Sequence, residues 1–317
     1  MKKYFLFITF TIFVCFLAPA FSVVNWNIQT FFDANTEGTE YSEFKRNAAW
    51  NESSYKNRLI KLCDAITEIN ADVFVFEEIE NSRILYDISN LLCASKGFSK
   101  RSWNYACFSK NRGSAIGCAV LSKLPLCEMS VHNLDIRSAD TKQPAMRPVI
   151  RVKIADGGKT ATLLVNHWKS KSGGEEESKI WRDFQESLLS KLFEEYPDET
   201  IIACGDFNKD IKEFTLLQED SFKNVCLKNQ FKQDYQQKVY CPWLKEKNCF
   251  EEPGSYYYKN KWERIDIFFT NKPFCMSNFE VLSEGPWADE NGRPDRFKIS
   301  SGNGYSDHFP VKCNIRL

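Results

Sequence analysis

The stretch Ile201–Asn208, IIACGDFN, constrains the fold of this chain more than any other. Four apolar residues stop at Gly205, the pattern of a short buried strand, and the chain then presents Asp206 and Asn208. In an extended tip, residues i and i+2 face the same side, so these two polar groups point together while Phe207 packs away. Sheets flanked by helices gather ligands just beyond their strand ends, although Gly-Asp-x-Asn is also ordinary turn chemistry. The rest of the chain decides between the two.

The same design recurs. Val23–Ile28 reads as a strand that delivers Asn27, and a polar, aromatic loop follows from Gln29 to Asn51. A helix from Ser54 to Ile69 carries Leu59, Leu62, Cys63, Ile66 and Ile69 on one face,. The strand Val73–Phe76 ends in Glu77, Glu78 and Glu80, and a second helix follows around Ile84–Leu92. Strands are expected at Ile116–Leu121, at Pro148–Ile154 behind Arg147, and at Thr160–Val165, which runs into Asn166-His167-Trp168-Lys169. A helix over Ser178–Glu195 returns the chain to Ile201, and residues 209–255 read as irregular. Arg264–Phe269 carries Asp266 at its start, and Ser306-Asp307-His308 leads into the last strand, Phe309–Ile315. Strands alternating with helices predict an α+β fold of two sheets packed face to face with helices outside.

Met1–Ala20 supplies two lysines, an apolar run from Tyr4 to Leu17 and Ala-Pro-Ala, the three regions of a secretory signal,. Its apolar core is too short to favour a membrane span. Residues 1–20 are therefore expected to be removed, leaving 21–317 as one domain, secreted or periplasmic, monomeric and without a stable membrane span. Lysines and arginines number 42, as do the acids, and losing Lys2 and Lys3 leaves a net charge of −2. An anionic partner must then be held by local patches, such as Lys96, Lys100 and Arg101 or Lys169 and Lys171, or through a metal. Of 12 cysteines, Cys15 leaves with the signal, and the odd number remaining keeps at least one unbridged within the chain,. Cys118, Cys204 and Cys313 lie in strand patterns and read as buried apolar residues, whereas Cys226, Cys241 and Cys249 lie where bridging is plausible. No Cys-x-x-Cys pair supports a zinc knuckle.

The chain has three histidines, His132, His167 and His308, and two of them stand at strand tips. In order, the tips offer Asn27, Glu78, His167, Asp206, Asn208, Asp266, Asp307 and His308. Oxygen and imidazole donors without thiolates suit hard cations such as Mg2+, Mn2+ or Ca2+. Phosphate-ester hydrolysis needs such a set: a cation to neutralise non-bridging oxygens, a base to align water, and donors to meet developing charge.

The series NWN, FEEIEN, NHWKS, GDFN, RID and SDHFPV, in this order across nearly the whole chain, resembles the endonuclease/exonuclease/phosphatase superfamily. The similarity is greatest to its secreted bacterial nucleases. It implies a deoxyribonuclease I-like, four-layer α/β/β/α sandwich with the site at one end. It also implies roles. Asn27, Glu78 and Asp307 would place the metal; Asp206 would orient water and Asn208 stabilise phosphoryl oxygens. Asp266 would support His308, which binds phosphate or receives a proton, and His167 would act as an acid or phosphate donor. Arg147 would contact phosphate, and Lys169 stands beside it as a substrate-binding candidate. Two departures are visible. Glu77-Glu78 replaces the usual Gln-Glu, placing an extra acid where it could act on the cation or the substrate. The stretch Asn111–Lys123, expected to hold a carboxylate partner for His167, has none.

The function expected is a secreted, divalent-metal-dependent phosphodiesterase, a nuclease acting on DNA or on RNA. The rival is a phospholipid-headgroup phosphoesterase of inositol-phosphatase or sphingomyelinase type, since these share the same tips. It would want an exposed apolar hairpin near the site, for which Trp287 and the run Tyr256–Tyr258 are the aromatic candidates. A non-catalytic binding module is the third reading, disfavoured because every core polar position is filled.

Overall fold

The computed structural model describes residues 20–95, 102–136, 142–217, 224–232, 236–246 and 249–317. The leader up to residue 19 lies outside them, as do Lys96, Lys100 and Arg101. Ala20 already opens the first strand, β1 (Ala20–Phe31). One helical turn, α1 (Ser42–Lys45), leads to α2 (Glu52–Ile69). The Asn51 side chain caps α2 by accepting from the backbone N–H of Ser53 and Ser54, and Asn70 ends it in the left-handed conformation,. Next come β2 (Val73–Ile79), α3 (Ser82–Ser95), β3 (Tyr105–Ser109), β4 (Gly117–Ser122), β5 (Leu126–His132), β6 (Val149–Asp156) and β7 (Lys159–His167). Then follow α4 (Glu175–Glu195), β8 (Ile201–Asp206), β9 (Thr215–Leu216), β10 (Asn224–Lys228), β11 (Gln236–Tyr240), β12 (Leu244–Glu246) and β13 (Cys249–Phe250). The chain closes with β14 (Tyr256–Tyr258), β15 (Lys261–Glu263), β16 (Asp266–Thr270), β17 (Met276–Val281) and β18 (Val311–Arg316).

Two mixed sheets result. One has six strands in the order β17-β18-β1-β2-β4-β3, the other eight in the order β5-β6-β7-β8-β16-β11-β10-β9. Alternation along the first sheet divides its side chains between two layers. Val23, Val73, Val75, Cys118 and Val120 face the second sheet and share a core with Val152, Val165, Cys204 and Phe268. Val24, Trp26, Phe74, Phe76, Ala119 and Leu121 face the other way, onto Leu62, Ile66, Ile84 and Ile88 of α2 and α3. α4 covers the second sheet with Leu189, Leu192 and Phe193. The architecture is the expected α+β sandwich. Truncating a core ring such as Phe76 removes packing between the first sheet and its helices and costs about 3–5 kcal/mol,.

Residues 209–255 are not irregular: they supply β9 to β13, three of whose strands extend the eight-stranded sheet. β3, β5 and β17 were also not expected from the sequence. Nor does Gly205 end its strand, for it pairs with both Asn166 and Ile267 inside β8. Its φ is +146°, and a Cβ there would lie 1.9 Å from the Asn166 carbonyl oxygen, so glycine is required by a close backbone approach,. No disulfide forms among the described cysteines, so the bridging found plausible for Cys226, Cys241 and Cys249 is not seen; Cys226 and Cys241 are buried, Cys241 in the apolar core. No helix of the described residues is long and apolar enough to cross a membrane.

Candidate active site

Strand direction brings the polar tips together. β1 and β2 run parallel, so Asn27 and Glu78 emerge at the same end of the first sheet; β7 and β8 run parallel, so His167 and Asp206 do so in the second. β16 is antiparallel to β8 and β18 to β1, and so both begin at that end, placing Asp266 opposite Asp206 and delivering Asp307-His308. Glu78, His167, Asp206, Asn208, Asp307 and His308 line one cleft of about 770 Å³. Asn27 and Asp266 lie in its floor, almost wholly buried.

Asn27 joins the two sheets. Its Nδ2 donates to Asp206 Oδ2 at 3.0 Å and to Glu78 Oε1 at 3.3 Å, and its Oδ1 accepts from the Gln29 backbone N–H. The other oxygen of Glu78 accepts from the Thr30 N–H at 2.7 Å. Gln29, Thr30, Glu78 and Asn208 all have φ between 46° and 64°. Left-handed non-glycine residues are costly and cluster at functional sites; here they turn side chains out of two strand ends into one cleft. Asn208 holds Asp206 twice, through its backbone N–H to Oδ1 at 2.8 Å and its Nδ2 to Oδ2 at 3.1 Å.

The buried groups divide into an acid and neutral partners. His308 Nδ1 is 2.9 Å from Asp266 Oδ2, leaving Nε2 for the cleft. Although burial opposes a charged ring, the Asp266 carboxylate raises the His308 pKa well above the usual imidazole range,. Ser306 fixes the approach, donating from Oγ to the Asn27 carbonyl and accepting from the His308 N–H. His167 behaves oppositely: burial, with Arg147 and His308 nearby, lowers its pKa well below the ordinary value, so the ring is neutral. Its Nε2 lies 3.6 Å from Asp206 Oδ2 and 3.9 Å from Glu78 Oε1. Burial pushes the Asp206 carboxyl up, His308 pulls it back, and Asp266 adds to the rise.

The remaining candidates stand at the edge of the cleft or away from it. Arg147 is half-buried beside the cleft, its Nη1 donating to the Trp168 carbonyl at 3.3 Å. Lys169 does not line the cleft, because its ammonium folds onto the carbonyls of Ser170 and Ser172; Lys171 takes that place, 3.2 Å from both Glu213 and Glu263. Glu77 is not beside the open cleft at all. Strand alternation sends it inward with Val73 and Val75, fully buried, both oxygens without a hydrogen-bond partner. Burial, then Asp266 and Asp206, raise its pKa well above the carboxylate range. The sought partner of His167 is not found either: Nδ1 is buried without a hydrogen bond. Sequence reading gave no role to Ser306, although it opens the SDHFPV series, nor to Thr30, which acts through its backbone N–H. Tyr256 was named only as part of an aromatic run, and its ring lies 4.6 Å from that of His308.

The donor set suits a hard cation. Glu78 and Asp307 are carboxylates open to the cleft, with side chains 20% and 23% exposed. Among the described residues, no three His, Cys, Asp or Glu side chains close around one point.

A model of the endonuclease/exonuclease/phosphatase family matches residues 22–317. No curated protein matches significantly. Among solved structures, the chain is similar to a variant of beta toxin from Staphylococcus aureus with bound magnesium ions (TM-score 0.58, 16% identity, 94% of this chain and 100% of that one). It is similar to an endonuclease/exonuclease/phosphatase family protein from Bacteroides thetaiotaomicron (0.56, 16%, 95% and 98%). A third is TDP2 from D. rerio complexed with a single strand DNA product (0.54, 14%, 94% and 99%). At these identities the likeness is one of fold.

Proposed function

The chain belongs to the endonuclease/exonuclease/phosphatase family and is a phosphodiester hydrolase of it; from that premise we propose a secreted, divalent-metal-dependent nuclease, acting on DNA foremost. The observation that carries the chemistry is the Asn27 amide holding Glu78 and Asp206 from two sheets beside the Asp266–His308 pair. Glu78, Asp307 and Asn27 would hold the cation, which when bound supplies charge neutralisation at the phosphate oxygens. His308, kept cationic by Asp266, binds a non-bridging oxygen through Nε2. Asp206, raised by burial, accepts the proton of the attacking water, and the Asn208 amide helps fix its carboxylate,. His167, neutral and aimed at Asp206 and Glu78, donates or accepts a hydrogen bond without adding charge.

The hairpin at the cleft supports a polyanionic substrate. Lys171 is engaged by Glu213 and Glu263, and Glu43, Glu175 and Glu263 share the lining, but Lys259 and Lys261 are exposed beside Tyr256 and Tyr258, with Arg296 on the same cleft. Trp287, one aromatic candidate for an apolar membrane hairpin, is buried against Trp26 with ring centroids 6.0 Å apart. Residues 1–20 are read as the export signal and 21–317 as one catalytic domain. The test presents residues 21–317 with single- and double-stranded DNA, RNA, sphingomyelin and a phosphoinositide, each in Mg2+ and in chelator. Metal-dependent cleavage of nucleic acid is expected; cleavage of lipid alone overturns the nuclease reading.

A further inference from the structure

The hairpin β14–β15 stands at the cleft and is unusually well fixed. Tyr256 pairs with Glu263, Tyr257 with Trp262 and Tyr258 with Lys261, leaving Lys259 and Asn260 as a two-residue turn. Both turn residues have positive φ, 46° and 63°, the combination that matches the twist of a tight hairpin,. Alternation puts Tyr257 on one face and Tyr256 and Tyr258 on the other. The first face is an anchor: Tyr257 packs on Trp262 at 5.0 Å, Trp262 stacks on Phe309 at 5.8 Å, and the Arg293 guanidinium lies 4.3 Å from the Tyr257 ring centre.

The second face forms a column of rings rising from the catalytic histidine. Tyr256 lies 4.6 Å from His308, and Tyr258 stacks on Tyr256 at 6.1 Å with an interplanar angle of 22°. Tyr258 ends the column 51% exposed. Lys259, Lys261 and Arg296 line the same cleft, and Lys259 Nζ sits 5.2 Å from the Tyr258 ring centre. A flat exposed ring among cations, one aromatic step from the reacting position, is the setting in which bases of a single strand stack irrespective of sequence. The tip itself is Lys-Asn-Lys, which lacks the apolar wedge needed to enter a bilayer.

We propose that Tyr258 is a nucleobase-stacking subsite that receives an unpaired base of a nucleotide flanking the phosphate held at His308. The proposal rests on the nuclease reading and narrows it, because a base inside a duplex has both faces covered by its neighbours. Single strands, frayed ends and extruded nucleotides are the substrates that can offer a free face.

The test measures equilibrium binding, by fluorescence anisotropy in Mg2+, of a labelled oligothymidylate and of the same backbone with abasic residues. The protein is residues 21–317 carrying Asp206→Asn to prevent cleavage, alone and with Tyr258→Ala or Tyr258→Trp. Tyr258→Ala is expected to weaken oligothymidylate binding about 5- to 100-fold, to leave abasic binding within about twofold, and to be rescued by Tyr258→Trp. Equal weakening on both oligomers, or none on either, overturns the proposal. Loss of binding to phosphatidylserine vesicles in Tyr258→Ala with unchanged oligonucleotide binding overturns it in favour of a membrane contact. Should the wild-type chain cleave no nucleic acid, the nuclease reading falls, and base-dependent binding still decides the subsite. Should it cleave while Tyr258→Ala shows no base dependence, only the subsite falls.

Discussion

The two sheet tips that form the cleft are built from the same device, a central parallel pair, yet they present opposite chemistry. At the six-stranded sheet, Glu78 and Asp307 are partly exposed carboxylates, Glu78 on a backbone bent into the left-handed region. At the eight-stranded sheet, His167, Asp206 and Asp266 have side chains at most 3% exposed and bond mainly to one another and their neighbours. Carboxylates open to water can exchange water for a cation, whereas burial shifts the proton affinity of His167 down and of Asp206 up,. His308 belongs to both: the chain segment that ends at the first sheet carries it, and the second sheet's Asp266 sets its charge. On the function proposed above, the cation would sit at one tip and the proton transfers at the other.

That assignment makes its strongest claim about substitutions that should not look alike. Asp206→Asn or His308→Ala is expected to lower kcat about 10²- to 10⁴-fold and to leave the Mg2+ midpoint unchanged. Glu78→Gln should instead raise the midpoint about 10- to 100-fold and recover much of its activity at high Mg2+. Rescue of Asp206→Asn by metal, or failure to rescue Glu78→Gln, would reverse the comparison. Gly205→Ala tests the backbone that carries the buried tip. With the new Cβ placed against the Asn166 carbonyl, unfolding in urea should show a loss of about 3 kcal/mol or more.

The proton side also predicts a pH profile. In the proposed mechanism Asp206 works ionised and His308 protonated. Because both groups are raised, the acid limb should lie above the ordinary carboxylate range and the alkaline limb above the ordinary imidazole range,. Asp266→Asn removes the carboxylate that favours imidazolium, so the alkaline limb should move down by about one pH unit or more. An unmoved limb would separate His308 from Asp266. The smallest effect is expected at Glu77. Its folded pKa is raised, so at pH values above the unfolded carboxylate value the wild type pays to keep or bury that group,. Glu77→Gln should therefore match the wild type within about 1 kcal/mol at pH 5 and become the more stable chain as pH rises.

How far the sequence carried depends on what held each feature in place. Asn27, Glu78, His167, Asp206, Asp266 and His308 were legible because each follows or opens a short apolar run, and parallel pairing makes such ends coincide. α2 was legible from its repeating apolar face. Strand β5 was not: an edge strand half open to water, it lacks the apolar run that marked β2 or β8. β9 to β13 escaped notice because they are short, two to five residues each, and β12 and β13 pair only with each other. Glu77 was misplaced because only the register of β2 shows that it points inward while its neighbour Glu78 turns out. The contact of Tyr256 with His308 spans 52 residues of chain with no motif linking them; adjacency arises from a single backbone bridge.

The most direct test of the shared cleft is nicking of supercoiled plasmid by residues 21–317, by Glu78→Gln and by His308→Ala across a Mg2+ titration with a chelator control. The two-tip account predicts nicking that stops in chelator, a rightward-shifted Mg2+ curve for Glu78→Gln, and an unshifted but strongly lowered curve for His308→Ala. Nicking that survives chelation, or that His308→Ala leaves intact, would contradict it.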